Sequence, residues 1–312
     1  DQGIAILYIS HYLNEIATLC DRGTVLRNGE VVGYPDRDLL QNTEALIAMM
    51  VGREIDQLYT PRQRPAADNW EAPLLSVRQL SDGRQLQDLS FDIHPGEIVG
   101  VAGLLGSGRT EIVKTLFGLE KKASGRVFLN GKPLTISKPA DAISAGIGFV
   151  TEDRKHEGLV LGLSVRENMT LTHLQGFSRA GVIVSGRERG FVDGMIGRLK
   201  IRTRDCDLEV KSLSGGNQQK VIFGKWLERE PQVFMMDEPT RGIDVGAKYE
   251  IYELIIKMAK QGKTVIVVSS EMPEILGITN RIGVMSNGHL SGIVNTKETN
   301  QEELLRLSAK YL

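Results

Sequence analysis

The sequence predicts an α/β fold, and three observations carry that prediction. An apolar run, Ile98–Ala102, passes through Gly103-Leu104-Leu105-Gly106-Ser107-Gly108-Arg109-Thr110 into a helical segment, Glu111–Gly118. Further on, the turn Ser214-Gly215-Gly216 opens a helical segment, Gln218–Leu227, and a second apolar run, Val233–Met236, ends on Asp237-Glu238. Third, Ile6–Gly33 can be laid on Val265–Gly292 without a gap. Ser10, Glu15, Ile16, Arg22, Val25, Asn28 and Gly29 then fall on Ser269, Glu274, Ile275, Arg281, Val284, Asn287 and Gly288.

At 312 residues the chain has room for about two domains. Hydrophobic content of 41% and charged content of 25% are ordinary for a globular protein. A net charge of −1, with acids and bases interspersed, gives no reason to expect nucleic acid as a partner. The two cysteines, Cys20 and Cys206, make no disulfide framework and fit a reducing cytoplasm. No apolar run approaches the roughly 18 residues that would span a bilayer, so any membrane role would be peripheral. The chain opens at Asp1 and enters the strand-like Ile4–Ile9 almost at once, which reads as a start inside a domain of a longer polypeptide.

Both copies of the repeat read as buried strand, short helix, second strand and an Asn-Gly hairpin turn. A polar loop and an amphipathic helix follow, Thr43–Val51 in the first copy and Gln301–Leu312 in the second. A repeat of this extent implies two homologous domains in tandem, the end of one at 1–54 and a whole one at 73–312. Between them, 55–72 is rich in proline and polar residues and reads as a linker. The second domain begins with strand patterns at Leu74–Leu80 and Leu86–His94, and the strand Ala145–Val150 ends on Thr151-Glu152-Asp153-Arg154. From about 155 to 212 the chain reads as a helical subdomain, with period-3.6 stretches at Val165–His173 and Gly190–Ile201. Tyr249–Lys260 reads as a helix and Thr264–Val268 as a buried strand. Trp226, Met235 and Met236 read as core, and His156 as an exposed loop residue.

The stretch from Gly103 has P-loop spacing and lies between strand and helix. Gly103, Gly106, Ser107 and Gly108 would let backbone amides wrap phosphates, with Thr110 ligating Mg²⁺. Arg109 sits where lysine is expected; it keeps the charge but presents a wide planar fork. An apolar strand ending on two carboxylates suits metal-assisted phosphate chemistry, with Asp237 in the Mg²⁺ shell and Glu238 polarising a water. The Ser214-Gly215-Gly216 turn before a helix is a further phosphate cradle. A glycine turn or a charged strand end means little alone; together and in this order they are specific.

The pair formed by Leu213–Lys220 and Val233–Glu238 resembles the signature sequence and Walker B strand of ATP-binding-cassette (ABC) ATPases. Gly103–Glu111, Thr151–Arg154 with Gly158-Leu159, Asp237–Lys248 and Ser269–Gly277 extend the likeness to the C-terminal cassette of tandem ABC ATPases that drive bacterial monosaccharide import. The run from Met285 to Leu312 looks most like the galactose/methyl-galactoside member, with ribose-type members next. The resemblance implies a P-loop core sheet with an antiparallel β subdomain and a helical subdomain, binding ATP and Mg²⁺. It places Glu152 where the family has a glutamine touching Mg²⁺ and the attacking water. It places Asp244 in the loop that crosses between two cassettes, and His11 where a histidine meets the γ-phosphate. In the second copy Ser270 holds that last position.

The implied partners are a first cassette of the same polypeptide, transmembrane permease subunits and, indirectly, a periplasmic sugar-binding protein. The implied place is the cytoplasmic face of the inner membrane. Arg109, Glu152, Ser270 and the lack of an aromatic near Leu80-Ser81-Asp82 to stack on adenine all weaken the P-loop side of the second cassette, while its signature is intact. The expectation is one competent site, joining the first cassette's P-loop and His11 to Ser214, Gly215 and Gly216. The other, with Arg109, Thr110, Asp237 and Glu238, would bind nucleotide and turn it over poorly. Two rival readings are a nucleotide-binding regulatory module and a non-transport ABC ATPase acting on DNA or ribosomes, which the neutral charge disfavours.

Overall fold

The computed structural model describes residues 3–10, 13–27, 29–51 and 72–312, which fall into two compact units. One holds the N-terminal residues together with Gly242–Glu253; the other holds the residues from 72 to Arg241 and Leu254–Leu312. The linker expected at 55–72 lies, except for its last residue, outside the described residues.

In the first unit α1 (Leu13–Leu19) precedes the antiparallel hairpin of β1 (Val25–Arg27) and β2 (Glu30–Gly33), followed by α2 (Arg37–Gln41) and α3 (Thr43–Val51). Asp36 starts α2 by accepting the N–H of Leu39 at 3.0 Å. Leu13, Val25, Leu40 and Leu46 make a small core, with Ile16, Val32 and Met49 packed against it. The strand expected at Ile4–Ile9 does not form, and Ile4, Ile6, Leu7 and Ile9 are 72% to 89% exposed. An apolar run becomes a strand only where neighbours complete its amide ladder. Among the described residues of this unit the strands are β1 and β2, and they pair with each other.

The second unit opens with β3 (Leu75–Ser81), β4 (Leu89–Ile93), β5 (Ile98–Gly103), α4 (Arg109–Phe117), β6 (Ser124–Leu129), β7 (Lys132–Leu134), α5 (Pro139–Ser144) and β8 (Ile147–Val150). Next come α6 (Val165–Thr170), a short hairpin of β9 (Ser178–Arg179) and β10 (Val182–Ile183), α7 (Ser185–Leu199) and α8 (Gly215–Leu227). The last third is β11 (Val233–Asp237), α9 (Val245–Lys260), β12 (Thr264–Val268), α10 (Met272–Ile278), β13 (Arg281–Ser286), β14 (His289–Asn295) and α11 (Gln301–Ser308). The first part of α9 belongs to the other unit.

Six strands form the core sheet in the order β14-β13-β5-β12-β11-β8, parallel throughout except for the β13–β14 hairpin. A separate antiparallel sheet has the order β4-β3-β6-β7. β5, β8, β11 and β12 are buried along their whole length and, Thr264 and Asp237 apart, apolar, as strands covered on both faces must be. Phe223 of α8 stacks on Phe234 of β11 with ring centroids 5.9 Å apart, and Trp226, Met235 and Met236 are core, as expected. Because the strands are parallel, the carboxyl ends of β5, β11 and β12 open on one edge, where such sheets bind ligands.

Two expected boundaries move for local reasons. β4 starts at Leu89 and not Leu86, because Asp82 Oδ1 accepts the N–H groups of Arg84, Gln85 and Leu86 at 2.8–2.9 Å and ties them into a turn. Within the helical subdomain, α6 opens with Ser164 and Glu167 bonding each other's backbone N–H groups (2.7 and 3.1 Å). It stops at Thr170 and gives way to tight turns over Leu171–Phe177, where His173 leaves helical geometry.

Glu97, at the start of β5, has no exposed surface. It accepts two hydrogen bonds from the Arg281 guanidinium (2.5 and 3.0 Å) and one from the His94 N–H (2.9 Å). Glu97→Ala leaves that guanidinium facing a gap, so it should cost about 3 kcal/mol. Urea unfolding monitored by circular dichroism would register this as a lower midpoint with unchanged slope.

Candidate active site

β5 runs directly into the glycine loop, and the first turn of α4 carries Arg109 and Thr110. Gly103 has φ 155°, and a Cβ there would lie 2.4 Å from Ser107 Oγ and 2.6 Å from the Met285 carbonyl oxygen. Only glycine fits that approach. Gly106 and Gly108 have φ of 77° and 99°, the left-handed geometry from which nests of inward N–H groups are built. Two neighbours brace the loop: the Gly288 N–H donates to the Ser107 carbonyl (2.9 Å), and Gln85 Nε2 donates to the Gly106 carbonyl (2.5 Å).

Beneath the loop, Thr110 Oγ1 donates to Asp237 Oδ1 at 3.2 Å. Asp237 has no exposed surface, and its second oxygen, Oδ2, has no protein partner. Burial pushes its carboxyl up to about 6, against a smaller opposing effect of Thr110. A buried carboxylate oxygen with a spare lone pair, a hydroxyl and a phosphate-binding loop form a hard-oxygen donor set that suits Mg²⁺. Next to it, Glu238 takes φ 46° and donates its N–H to the Val268 carbonyl (2.9 Å). Burial raises its pKa, partly offset by the neighbouring Ser270 and Arg109. A half-buried carboxylate with a raised pKa beside a metal position is a suitable general base.

The remaining expected residues fall in different places. Arg109 reaches the end of β12, where its Nη1 donates to the Ser269 carbonyl at 3.1 Å. Glu152 is paired with Arg241, and Arg154 Nη1 donates to the Arg241 carbonyl at 3.2 Å. Ser214 is the N-cap of α8, and Gly215 and Gly216 form its first turn. The bonds there are local: Asn217 Nδ2 donates to Ser214 Oγ (2.9 Å), while Asn217 Oδ1 accepts the Arg202 N–H (2.9 Å). Asp244 accepts the Ala247 N–H (2.9 Å) within the N-terminal unit. His11 lies outside the described residues. His156 is exposed as expected, with its ring on Asp153.

Two site residues escaped sequence reasoning: Gln85 braces the glycine loop and Arg241 neutralises Glu152. Ser270, singled out in the sequence, sits against Glu238. Gln85 follows no motif that predicts a P-loop contact. Arg241 lies in the Asp-Glu-Pro-Thr-Arg run, where its charge was visible but its partner was not. Beside Glu152, a cleft of about 420 Å³ is lined by Phe117, Phe149, Thr151, Ile222, Lys225 and Trp226. Burial pushes the Lys225 ammonium down to about 8, and its Nζ donates to the Gly158 carbonyl at 2.6 Å.

The glycine loop, the hydroxyl–carboxylate pair and the parallel sheet define a P-loop nucleotide-binding domain. The family profile described as "ABC transporter" matches residues 86–241, half of the chain, and the chain belongs to that family. It is 47% identical over 306 residues to the ribose import ATP-binding protein of Chromobacterium violaceum, covering 98% of this chain and 60% of that protein. It is 48% identical over 315 residues to the galactose/methyl galactoside import ATP-binding protein of Treponema denticola, covering 100% of this chain and 62% of that one. The chain thus spans about three fifths of the length of these relatives. Among solved structures, cbiO1 from Clostridium perfringens, part of an ABC transporter complex, matches with a TM-score of 0.61 and 26% identity over 73% of this chain and 90% of that one. A dimeric ATP-binding cassette bound to ADP and Pi shares the fold, with a TM-score of 0.60 and 23% identity over 71% of this chain and 98% of that one.

Because the Asp237 pKa is raised, its ionised form is the disfavoured one in the fold. The cost is fully present above pH 6 and is lost progressively as pH falls from about 6 towards 3.8. Asp237→Asn should therefore stabilise the nucleotide-free protein by about 1 kcal/mol at pH 7. The same change should abolish any Mg²⁺ dependence of nucleotide binding. Thermal melting and calorimetry with and without Mg²⁺ check the two halves separately. Gly103→Ala should remove nucleotide binding altogether, while circular dichroism shows the fold retained.

Proposed function

We propose that the chain is the ATP-binding and ATP-hydrolysing part of a monosaccharide importer. The observation that carries this is the Thr110–Asp237 pair below a glycine loop, with Glu238 alongside. The strong likeness of the chain to proteins named as ribose and galactose/methyl galactoside import ATP-binding proteins supplies the transport setting. Backbone N–H groups of the loop and the start of α4 receive the phosphates. Thr110 and Asp237 would hold Mg²⁺, which when bound neutralises phosphate charge. Glu238, made less acidic by burial and oriented by Ser270, accepts the proton of the attacking water.

The proposal extends to two unequal sites. Arg109 spends a hydrogen bond on the Ser269 carbonyl, Glu152 spends its charge on Arg241, and a serine occupies position 270. Each of these blunts the site built on this chain's own P-loop. The signature turn carries no such departure. A preceding cassette of the same polypeptide would contribute its P-loop and His11 to Ser214, Gly215 and Gly216, forming the competent site, with Asp244 in the loop between cassettes. The cleft beside Glu152 would receive transmembrane permease subunits, and a periplasmic sugar-binding protein would act through them. The protein would sit peripherally on the cytoplasmic face of the inner membrane. Galactose or methyl galactoside is the finer proposal for the sugar, with ribose next. A nucleotide-binding module without turnover is the second reading, favoured by the Arg109–Ser269 bond.

In the complete protein with its permease, Glu238→Gln should reduce sugar-stimulated phosphate release by no more than roughly twofold, and the matching change in the first cassette by more than about tenfold. Equal losses would sink the asymmetry. Failure of any sugar to stimulate release would sink the importer reading.

A further inference from the structure

Glu274, in the first turn of α10, takes no part in the chemistry above, yet it is only 1% exposed. Its Oε1 accepts the Thr240 hydroxyl at 3.0 Å, and its Oε2 accepts the Ser269 hydroxyl at 2.5 Å. Thr240 and Ser269 are themselves 1% exposed. Ser269 Oγ also accepts the Glu271 N–H (3.0 Å), so its own proton is committed to Glu274 and the direction of that bond is fixed. A carboxylate is a costly way to fill buried space, and a leucine would fill it without desolvation.

What Glu274 joins gives the cost a purpose. Thr240 lies two residues beyond Glu238, on the loop that leaves β11. Ser269 begins the turn that leaves the neighbouring strand, β12. The next residue, Ser270, sits against the Glu238 carboxylate and holds its pKa down; the preceding one, Val268, accepts the Glu238 N–H; and the Ser269 carbonyl accepts Arg109. Three consecutive residues thus touch the base and the P-loop arginine, and Glu274 grips the middle one. The same pairing recurs in the N-terminal unit, where Ser10 Oγ donates to Glu15 Oε2 at 3.2 Å. Ser10 and Glu15 are the repeat counterparts of Ser269 and Glu274.

We infer that Glu274 is a positioning residue: it brackets the loop after Glu238 to the turn after β12, fixes the direction of the Glu238 carboxylate, and makes a shift of either loop move the other. The inference rests on the reading of Glu238 as general base. An amide could keep the bracket, because Gln Oε1 still accepts from Ser269 while Nε2 donates to Thr240. Alanine cannot.

The test uses the complete protein with the first cassette's matching glutamate replaced, so that the slow turnover left at this site, followed under single-turnover conditions with enzyme in excess, is the remaining signal. Glu238→Gln in that background should remove it; if it does not, the reading of Glu238 fails and the inference falls with it. Where Glu238→Gln does remove it, Glu274→Ala should lower kcat about 10- to 100-fold, the scale of a misplaced catalytic group, with MgATP affinity within about threefold. Glu274→Gln should stay within about threefold of its parent in both. Thr240→Val should lose part of kcat alone and lose nothing further when combined with Glu274→Ala. An unchanged kcat in Glu274→Ala overturns the inference. Parallel loss of kcat and affinity, with the Gln variant equally impaired, also overturns it, because general loss of packing produces that pattern. If Glu274→Ala does not fold, Thr240→Val and Ser269→Ala decide: unchanged kcat in both overturns the proposal, and lowered kcat at unchanged affinity sustains it.

Discussion

The structure depends on one buried charge, the Asp237 carboxylate, at the point where three strand ends meet. Burying an unpaired carboxylate is unfavourable unless donors or a cation compensate it. Here one oxygen has Thr110 and the other has no protein partner, so the fold carries an electrostatic cost that a bound divalent cation would offset. That arrangement requires register. Asp237 stands beside Val268, and Val268 beside Val101, so β11 and β12 end level while β5 runs on to Gly103 and carries the glycine loop past the carboxylate. A slip of one residue in any of these pairs would turn Asp237 to the opposite face of the sheet.

Around this charge the loops are tied to one another more than to solvent. The β13–β14 turn holds the P-loop through the Gly288 N–H, the 82–86 turn holds it through Gln85, and Glu274 links the two loops flanking Glu238. Arg109 closes this set by reaching the Ser269 carbonyl. A compact ammonium on a lysine stem has no such planar fork with which to span to a neighbouring strand. Arg109 and Glu152 thus share one pattern, each engaging the protein itself at the edge where the glycine loop lies.

Much of this was readable from residues alone, for physical reasons. β5, β11 and β12 are unbroken apolar runs bounded by glycine or charge, so their existence and ends were visible, as was the carboxylate pair that closes β11. The repeat pointed to the hairpins, because an Asn-Gly turn needs positive φ at both residues, as Asn287 and Gly288 have (44° and 81°). The failures have equally physical causes. Ile4–Ile9 has strand composition, but a strand is made by its neighbours, and no described strand pairs with it. The end of α6 turns on the backbone of His173, which carries no helix-breaking side chain. Glu152 looked like a residue free to meet a ligand. Its partner, Arg241, is distant in sequence and carries an unremarkable surface charge, so only the fold pairs them.

The central claim is that this chain carries a site able to bind nucleotide whose chemistry is slowed by bonds that Arg109 and Glu152 make to the protein itself. Titration of MgATP into the chain by calorimetry, with phosphate release followed in parallel, addresses it most directly. The account predicts saturable, Mg²⁺-dependent binding with negligible release. Steady release that rises with protein concentration would contradict it, because Arg109 would then suffice for turnover between associated copies. Absence of binding would contradict it more deeply, leaving Ser214–Gly216 as the only nucleotide-facing element this chain supplies.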